Sequence, residues 1–481
     1  MIASATKRAV SKYSLPGSAL LFVLIAIASH QLWQVEGFTP TGLLAATSRS
    51  LLILGLCALG LYLLIRLVGR LGAACGLRLG RWGSDAALRA FIEAKRRRLL
   101  RLRGRERPLA RGRAQLHLGL ALGELGTRGA DRDALRQSAA AFRQALPALR
   151  LAGRGAKRVQ TQRNLAATLL RLSRSELGRD SLKEAEAVLR AAAAARTTLE
   201  RDAERRELRV LLCAVLTRLG RLEGGTTALA EAVAVGRAAL GDDDTPMTQA
   251  RRQVDLARAL AALGEREAGS LRLAEAATLA RDALRAILDD QGGAPQKDDA
   301  AAWRLQLLGT LGQALRCIGE RNGDPEALRE AVEALRSATP LKTGRNAYDW
   351  ARVQDELARA LLALGVQAAR PELLSEAYSA SESALSILTR AAYPFDWAVA
   401  LSTRARTLVA LVETEATLRR AGDDLRAALE VFDRIGAPLQ GRHCRRDLDR
   451  IMALRARTLG CEAEGRAAAA APSAPPKPRS A

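Results

Sequence analysis

Side-chain catalysis needs a nucleophile, an acid–base partner or a set of metal ligands within reach of one another, and this chain offers few such groups. Its three histidines, His30, His117 and His443, lie far apart, leaving little for a multi-histidine metal site. Six cysteines, at 57, 75, 213, 317, 444 and 461, show no CxxC spacing, which argues against a zinc ribbon or a disulfide framework. His443-Cys444 is adjacent in sequence but reads as a surface pair on a basic helix. Asp242-Asp243-Asp244 reads as a turn leading to a helix cap at Thr245 rather than as a cation site. No P-loop, G-x-G-x-x-G, H-E-x-x-H or G-x-S-x-G stands in a strand–turn–helix context. No catalytic, cofactor-binding or metal residue is assigned, no small-molecule substrate is expected, and the chain is read as a non-enzyme.

The chemistry that remains is recognition. One repeated helix position, two residues beyond a stripe leucine, runs Leu120, Ala167, Ala214, Arg258, Gln313, Arg359, Arg406. Its last four members form a mostly basic row, and arginine suits bidentate capture of carboxylate or phosphate. Arg258, Gln313, Arg359 and Arg406 are therefore the candidate partner-binding residues, for an acidic or phosphorylated peptide. Asp255, Asp355 and Glu356 stand close enough to cancel part of that charge.

The elements that carry this row are helices. The 481 residues are 48% hydrophobic, mostly Ala and Leu, and only 3% aromatic, which favours an all-α fold. Leu-Gly or a degenerate copy ends a helical pattern at 126, 173, 220, 264, 319, 365 and 412, with spacings of 47, 47, 44, 55, 46 and 47. Leucines eight, four and one residue earlier make a single stripe at 3.6 residues per turn, with Arg404 and Ile318 replacing two of them. A second helix follows, framed by Leu135, Leu182, Leu229, Leu273, Leu328, Leu374 and Leu418. Ten residues after each frame leucine stands Ala145, Ala192, Ala239, Ala283, Ala338, Ala384 or Ala428. Asp349 and Asp396 read as N-caps before tryptophan, Asp324-Pro325 as another start, and Trp303, Trp350 and Trp397 as interhelix packing.

This pattern resembles tetratricopeptide repeats, in a bacterial long-repeat variant. Unit five carries it as Leu311-Gly312, Leu315, Ala331, Leu335 and Ala338; unit one as Leu118-Gly119, Leu122, Ser138, Phe142 and Ala145. Unit six adds Trp350-Ala351-Arg352-Val353-Gln354 before Leu357. The period near 46 rather than 34 departs from the family, and leucine fills the first-helix aromatic position throughout. The resemblance implies an α-solenoid of about seven helix pairs over residues 112–435, first helices lining a concave face, and protein or peptide partners. A capping helix is expected at 436–460, a disordered Ala/Pro tail at 461–481, and a loop at Asp289–Asp298.

Two apolar stretches precede the repeats and read as transmembrane helices at 17–33 and 51–68, joined by a short external loop at 34–50. Ala26-Ile27-Ala28 also fits a cleavable signal. The basic N-terminus 1–16 and the basic juxtamembrane segment 69–111 place both ends inside, by the positive-inside rule. Residues 1–113 hold 19 basic and 4 acidic side chains, so 15 of the net +24 lies there. Residues 89–113 would meet anionic lipid headgroups; no nucleic-acid motif or aromatic platform accompanies the charge. The sequence thus leads to a multi-pass inner-membrane protein with its repeats in the cytoplasm, acting as a scaffold that recruits a partner. The alternative is a regulatory or sensor subunit gating a membrane enzyme or transporter.

Overall fold

The computed structural model describes residues 84–470, apart from 104–106, 130, 176–177, 195–201, 242–243, 290–293, 345 and 412–413. These residues form sixteen α-helices and, among the described residues, no strand. A first helix, α1 (Asp85–Arg101), precedes seven helix pairs: α2 (Pro108–Arg128) with α3 (Arg132–Leu151), α4 (Gly155–Ser175) with α5 (Arg179–Ala194), and α6 (Asp202–Leu222) with α7 (Thr227–Arg237). The series continues with α8 (Pro246–Gly264) and α9 (Leu271–Asp289), α10 (Ala294–Asn322) and α11 (Pro325–Ala338), α12 (Ala347–Gln367) and α13 (Pro371–Leu385), and α14 (Pro394–Leu411) and α15 (Glu415–Ile435). The last helix is α16 (Pro438–Ala470).

The leucine stripe and the small residues meet as their spacing requires. Leu122, Leu169, Leu216, Leu260, Leu315, Leu361 and Leu408 are all buried, and so are the seven alanines from Ala145 to Ala428. The glycine of each Leu-Gly pair sits in the last turn of its helix, and Gly264 is the last residue of α8. Each such glycine lies against the frame leucine nine residues on. A Cβ at Gly126, Gly220, Gly264, Gly319 or Gly365 would stand 2.7–2.9 Å from a carbon of Leu135, Leu229, Leu273, Leu328 or Leu374. The glycine is there for close helix approach.

Neighbouring pairs are also joined on the outside. Arg143, Arg190, Arg237, Arg281 and Arg336, each two residues before the repeated alanine, pair with Glu184, Glu231, Glu275, Glu330 and Glu376 of the next second helix. Each of these glutamates stands two residues past a frame leucine. Arg390, in the turn after α13, and Glu430 of α15 make a further bond outside this register. Arg96 of α1 donates to Gln137, at the same frame position, over 2.7 Å. Helix α1, which buries Leu88 and Ile92, therefore stands where a preceding unit's second helix would.

Several expectations change. The multi-pass inner-membrane placement is corrected: among the described residues no helix is long and apolar enough to cross a membrane. The spans expected at 17–33 and 51–68 lie outside the described residues, as do 1–16, 34–50 and 471–481. Part of the expected juxtamembrane segment is α1. The loop expected at Asp289–Asp298 gives way to helix at Ala294, and α16 continues to Ala470, past the expected start of the tail. Asp349 and Asp396 are not N-caps but lie in the first turns of α12 and α14. Asp324 is a cap, accepting from the backbone N–H groups of Glu326 and Ala327, and Thr245 accepts from that of Thr248. Trp350 is buried and donates to the Thr339 carbonyl over 2.9 Å.

Candidate functional site

The first helices of units two to seven, α4, α6, α8, α10, α12 and α14, face inward, and each touches the next. Helix α14 touches α4 again, so six helices close a ring around a lumen. The solenoid does not present an open concave face. Its turn is completed by contacts between distant repeats.

The closing contacts are polar inside and apolar around them. Arg218 of α6 donates through both terminal nitrogens to Asp396 of α14, at 3.3 and 3.1 Å. Tyr348 Oη donates to the same carboxylate over 2.9 Å, and the Arg174 guanidinium lies 4.3 Å from the Tyr348 ring centre. Gln440 of α16 donates to the Arg221 carbonyl. One apolar cluster joins Leu165, Leu219 and Leu222 to Phe395, Phe432 and Ile451. Burial alone would raise the pKa of Asp396, but Arg218, Arg352 and Arg221 overcome it and hold the carboxyl far below its usual range. Burial likewise opposes the charge on Arg218, and Asp396 and Tyr348 carry its pKa above the ordinary arginine value.

The lumen has two chambers that share Arg221 and Ala262. The larger, of about 1090 Å³, is bounded by units three to seven and α16. Six arginines (221, 266, 316, 359, 406 and 446) line it against Glu265, Glu320 and Asp447. The smaller, of about 280 Å³, is bounded by α4, α6, α8, α10 and α12; its arginines are 171, 174, 218, 221, 258 and 352, and its acids Asp255, Asp349 and Glu356.

The four residues singled out from sequence all line this lumen, two in each chamber. Arg258 and Gln313 line the smaller; Arg359 and Arg406 the larger. Much of their polar capacity is used internally. Arg258 pairs with Asp255 at 3.3 Å, Gln313 donates to Glu265 at 3.1 Å, and Arg359 pairs with Asp355 and Glu356 at 3.1 and 3.5 Å. Arg406 is the freest, 3.9 Å from Asp447 and nearly half exposed to the lumen. Its pKa is lowered by its surroundings and by Arg359. Glu356 also accepts from Arg316, and although burial raises its pKa, Arg316 and Arg359 leave it lowered overall.

Sequence reasoning passed over Arg171, Arg174, Arg218, Arg221, Arg316, Arg352 and Arg446. Most of them share a signal with the row that was read. Arg171 and Arg174 stand four and seven residues after Ala167, Arg218 and Arg221 four and seven after Ala214, and Arg352 seven before Arg359. These are the other positions of the same helical face.

The remaining candidates separate. Cys444 is buried, its Sγ donating to the Leu425 carbonyl over 3.1 Å and its thiol pushed up to about 11 by burial, while His443 is exposed. Asp242 and Asp243 lie outside the described residues; Asp244 pairs with Arg252. Among the described residues no group of three or more His, Cys, Asp and Glu side chains is arranged to hold a metal ion.

No family model matches the chain, and no curated protein matches it. Among solved structures it is similar to a circular tandem repeat protein with novel repeat topology and enhanced subunit contact surfaces, at 18% identity and a TM-score of 0.27, over 82% of this chain and 95% of that one.

Proposed function

We propose that this chain is a non-catalytic adaptor, built from tetratricopeptide-like helix pairs, that receives an acidic segment of a partner protein in the larger chamber of its lumen. The observation that carries this reading is the charge of that chamber, six arginines against three carboxylates around about 1090 Å³. The space accommodates several residues of extended or turned peptide. Arg406 and Arg446 are the side chains best placed to meet a ligand, since Arg316 and Arg359 are already paired. Beside Arg406 and Asp447 lies an apolar recess of about 540 Å³, lined by Leu362, Val366, Val409 and Ile451. A segment with acidic residues next to one large apolar side chain would fill both.

The test is fluorescence anisotropy of the purified chain with a panel of labelled peptides matched in length: acidic, phosphorylated, neutral and basic, each with and without a central leucine. Acidic or phosphorylated peptides carrying leucine are expected to bind best, and Arg406→Glu with Arg446→Glu to weaken them at least tenfold at unchanged Tm. Affinity independent of peptide charge, or undiminished in the double variant, overturns the reading.

A further inference from the structure

The smaller chamber carries a second assignment, which has only one arginine, Arg221, in common with the first. Of its three carboxylates, Asp255 pairs with Arg258 and Glu356 with Arg316 and Arg359, while Asp349 accepts from Gln306 at 3.1 Å through one oxygen and keeps Oδ1 buried without a partner. Arg218 pairs closely with Asp396, and Arg352 approaches the same carboxylate at 3.9 Å. That leaves Arg171, Arg174 and Arg221. Arg174 lies on the Tyr348 ring, a contact that leaves its N–H groups free to donate. The guanidinium groups of Arg171 and Arg221 form no hydrogen bond or ion pair with any described residue; other side chains bond Arg221 only at its backbone carbonyl.

Three guanidinium groups without a close carboxylate stand around about 280 Å³, bounded by five helices. Burial lowers the pKa of Arg221 to about 10, with Arg352 and Arg218 adding to the effect and Asp396 and Glu265 opposing it. Arg171 is exposed to the chamber, and Arg174 and Arg221 are half-buried. Like charges gathered around one chamber repel one another, and a bound anion reverses that disadvantage. Three fork-shaped donors suit a tetrahedral oxyanion with several acceptor oxygens better than a single carboxylate. The volume admits a phosphate group and a small substituent but excludes a nucleic-acid strand or a folded tail.

We propose that the smaller chamber is a binding site for a phosphate group, free or as the ester of a small molecule, held by Arg171 and Arg174 of α4 and Arg221 of α6. Because α4 belongs to unit two and α6 to unit three, while Tyr348 beside Arg174 belongs to unit six, the bound anion would also tie the ring together.

The experiment uses the full chain, dialysed against an anion-poor buffer and titrated calorimetrically with inorganic phosphate, with O-phosphoserine and with chloride at constant ionic strength. Saturable one-to-one binding of a phosphate-bearing probe, at least tenfold tighter than chloride, with a rise in Tm, is expected. Tighter binding of phosphoserine assigns the ester; tighter binding of inorganic phosphate assigns the free ion. Arg171→Gln with Arg221→Gln should abolish the response, while its anion-free Tm is no lower than that of the native chain, because two like charges have gone. A simple structural role for these arginines would lower it. Arg446→Gln, in the other chamber, should bind as the native chain does. Arg221→Lys, which keeps the charge and loses the fork, should weaken binding without abolishing it, and it serves if the double variant does not fold. No saturable binding by either phosphate probe, or an undiminished response in the double variant or, failing that variant, in Arg221→Lys, overturns the assignment.

Discussion

Ala369 follows α12 with φ of +51°, a left-handed conformation that disfavours any side chain with a Cβ. Gly153, Gly323 and Gly436 take the same conformation after α3, α10 and α15. In all four places the next backbone N–H reaches back five residues, to Leu149, Gly319, Gly365 or Phe432. Ala369→Gly is therefore expected to stabilise the chain by about 0.5–1 kcal/mol in denaturant unfolding, against the usual direction for glycine. His117 supplies a pH dependence. Burial, followed by Lys95, Lys157, Arg98 and Arg113, lowers its pKa to about 4 from 6.5. The unfolded chain then binds the extra proton between those values, so stability falls as pH drops from about 6.5 towards 4. The loss, about 1–2 kcal/mol after allowance for solvent screening of this half-buried ring, should disappear from the difference between pH 7 and pH 4.5 in His117→Gln. Neither feature could be read from sequence. An alanine after a helix looks ordinary, and three of the four cations around His117 come from other helices.

At the scale of helices and their pairing, the register was legible because each unit repeats it. Seven buried alanines and seven buried leucines lie where the spacing put them. The Arg–Glu bonds between second helices were equally written in the repeat, since both partners hold fixed positions relative to the alanine and the frame leucine. Only the spatial adjacency of units makes them pairs. Exposed pairs of this kind contribute about 0.2–1 kcal/mol each. Replacing Glu184, Glu231, Glu330 and Glu376 by Gln together should lower stability by about 1–3 kcal/mol. The difference should shrink in high salt when unfolding is followed by circular dichroism; an effect independent of salt would assign the loss to packing. Asp349 and Asp396 show the limit of local reading. A first-turn aspartate before tryptophan has the look of a cap, but the strongest partners of Asp396 are Arg218, 178 residues earlier, and Tyr348, 48 residues earlier. In a chain with many arginines, nothing in sequence distinguishes the one that crosses the lumen.

For the molecule as a whole, the decisive change from expectation is closure. An open array would offer its concave arginines to any passing strand; the ring limits entry to a chamber mouth and neutralises several of those arginines internally. Asp396→Asn leaves Arg218 buried and poorly paired and is expected to cost about 3–5 kcal/mol, read from chemical unfolding. Faster amide exchange should appear in both α6 and α14. Protection lost in α14 alone would show that the two helices are not coupled. Because Asp396 titrates far below its ordinary range, the stability it gives is complete above about pH 4 and is lost only as pH falls towards its folded value. The coupling should therefore be constant from pH 5 to 9.

A linear stack can lengthen or shorten by one helix pair and keep every interface, because each unit answers only to its neighbours. Here α14 must return to α4 with Asp396 opposite Arg218. Inserting or deleting a pair between them would carry that aspartate a full unit out of line and leave two charges facing apolar walls. The closure thus fixes how many units may stand between α4 and α14, and ties the fate of the third repeat to the seventh: a deletion that trims one end should unravel the other.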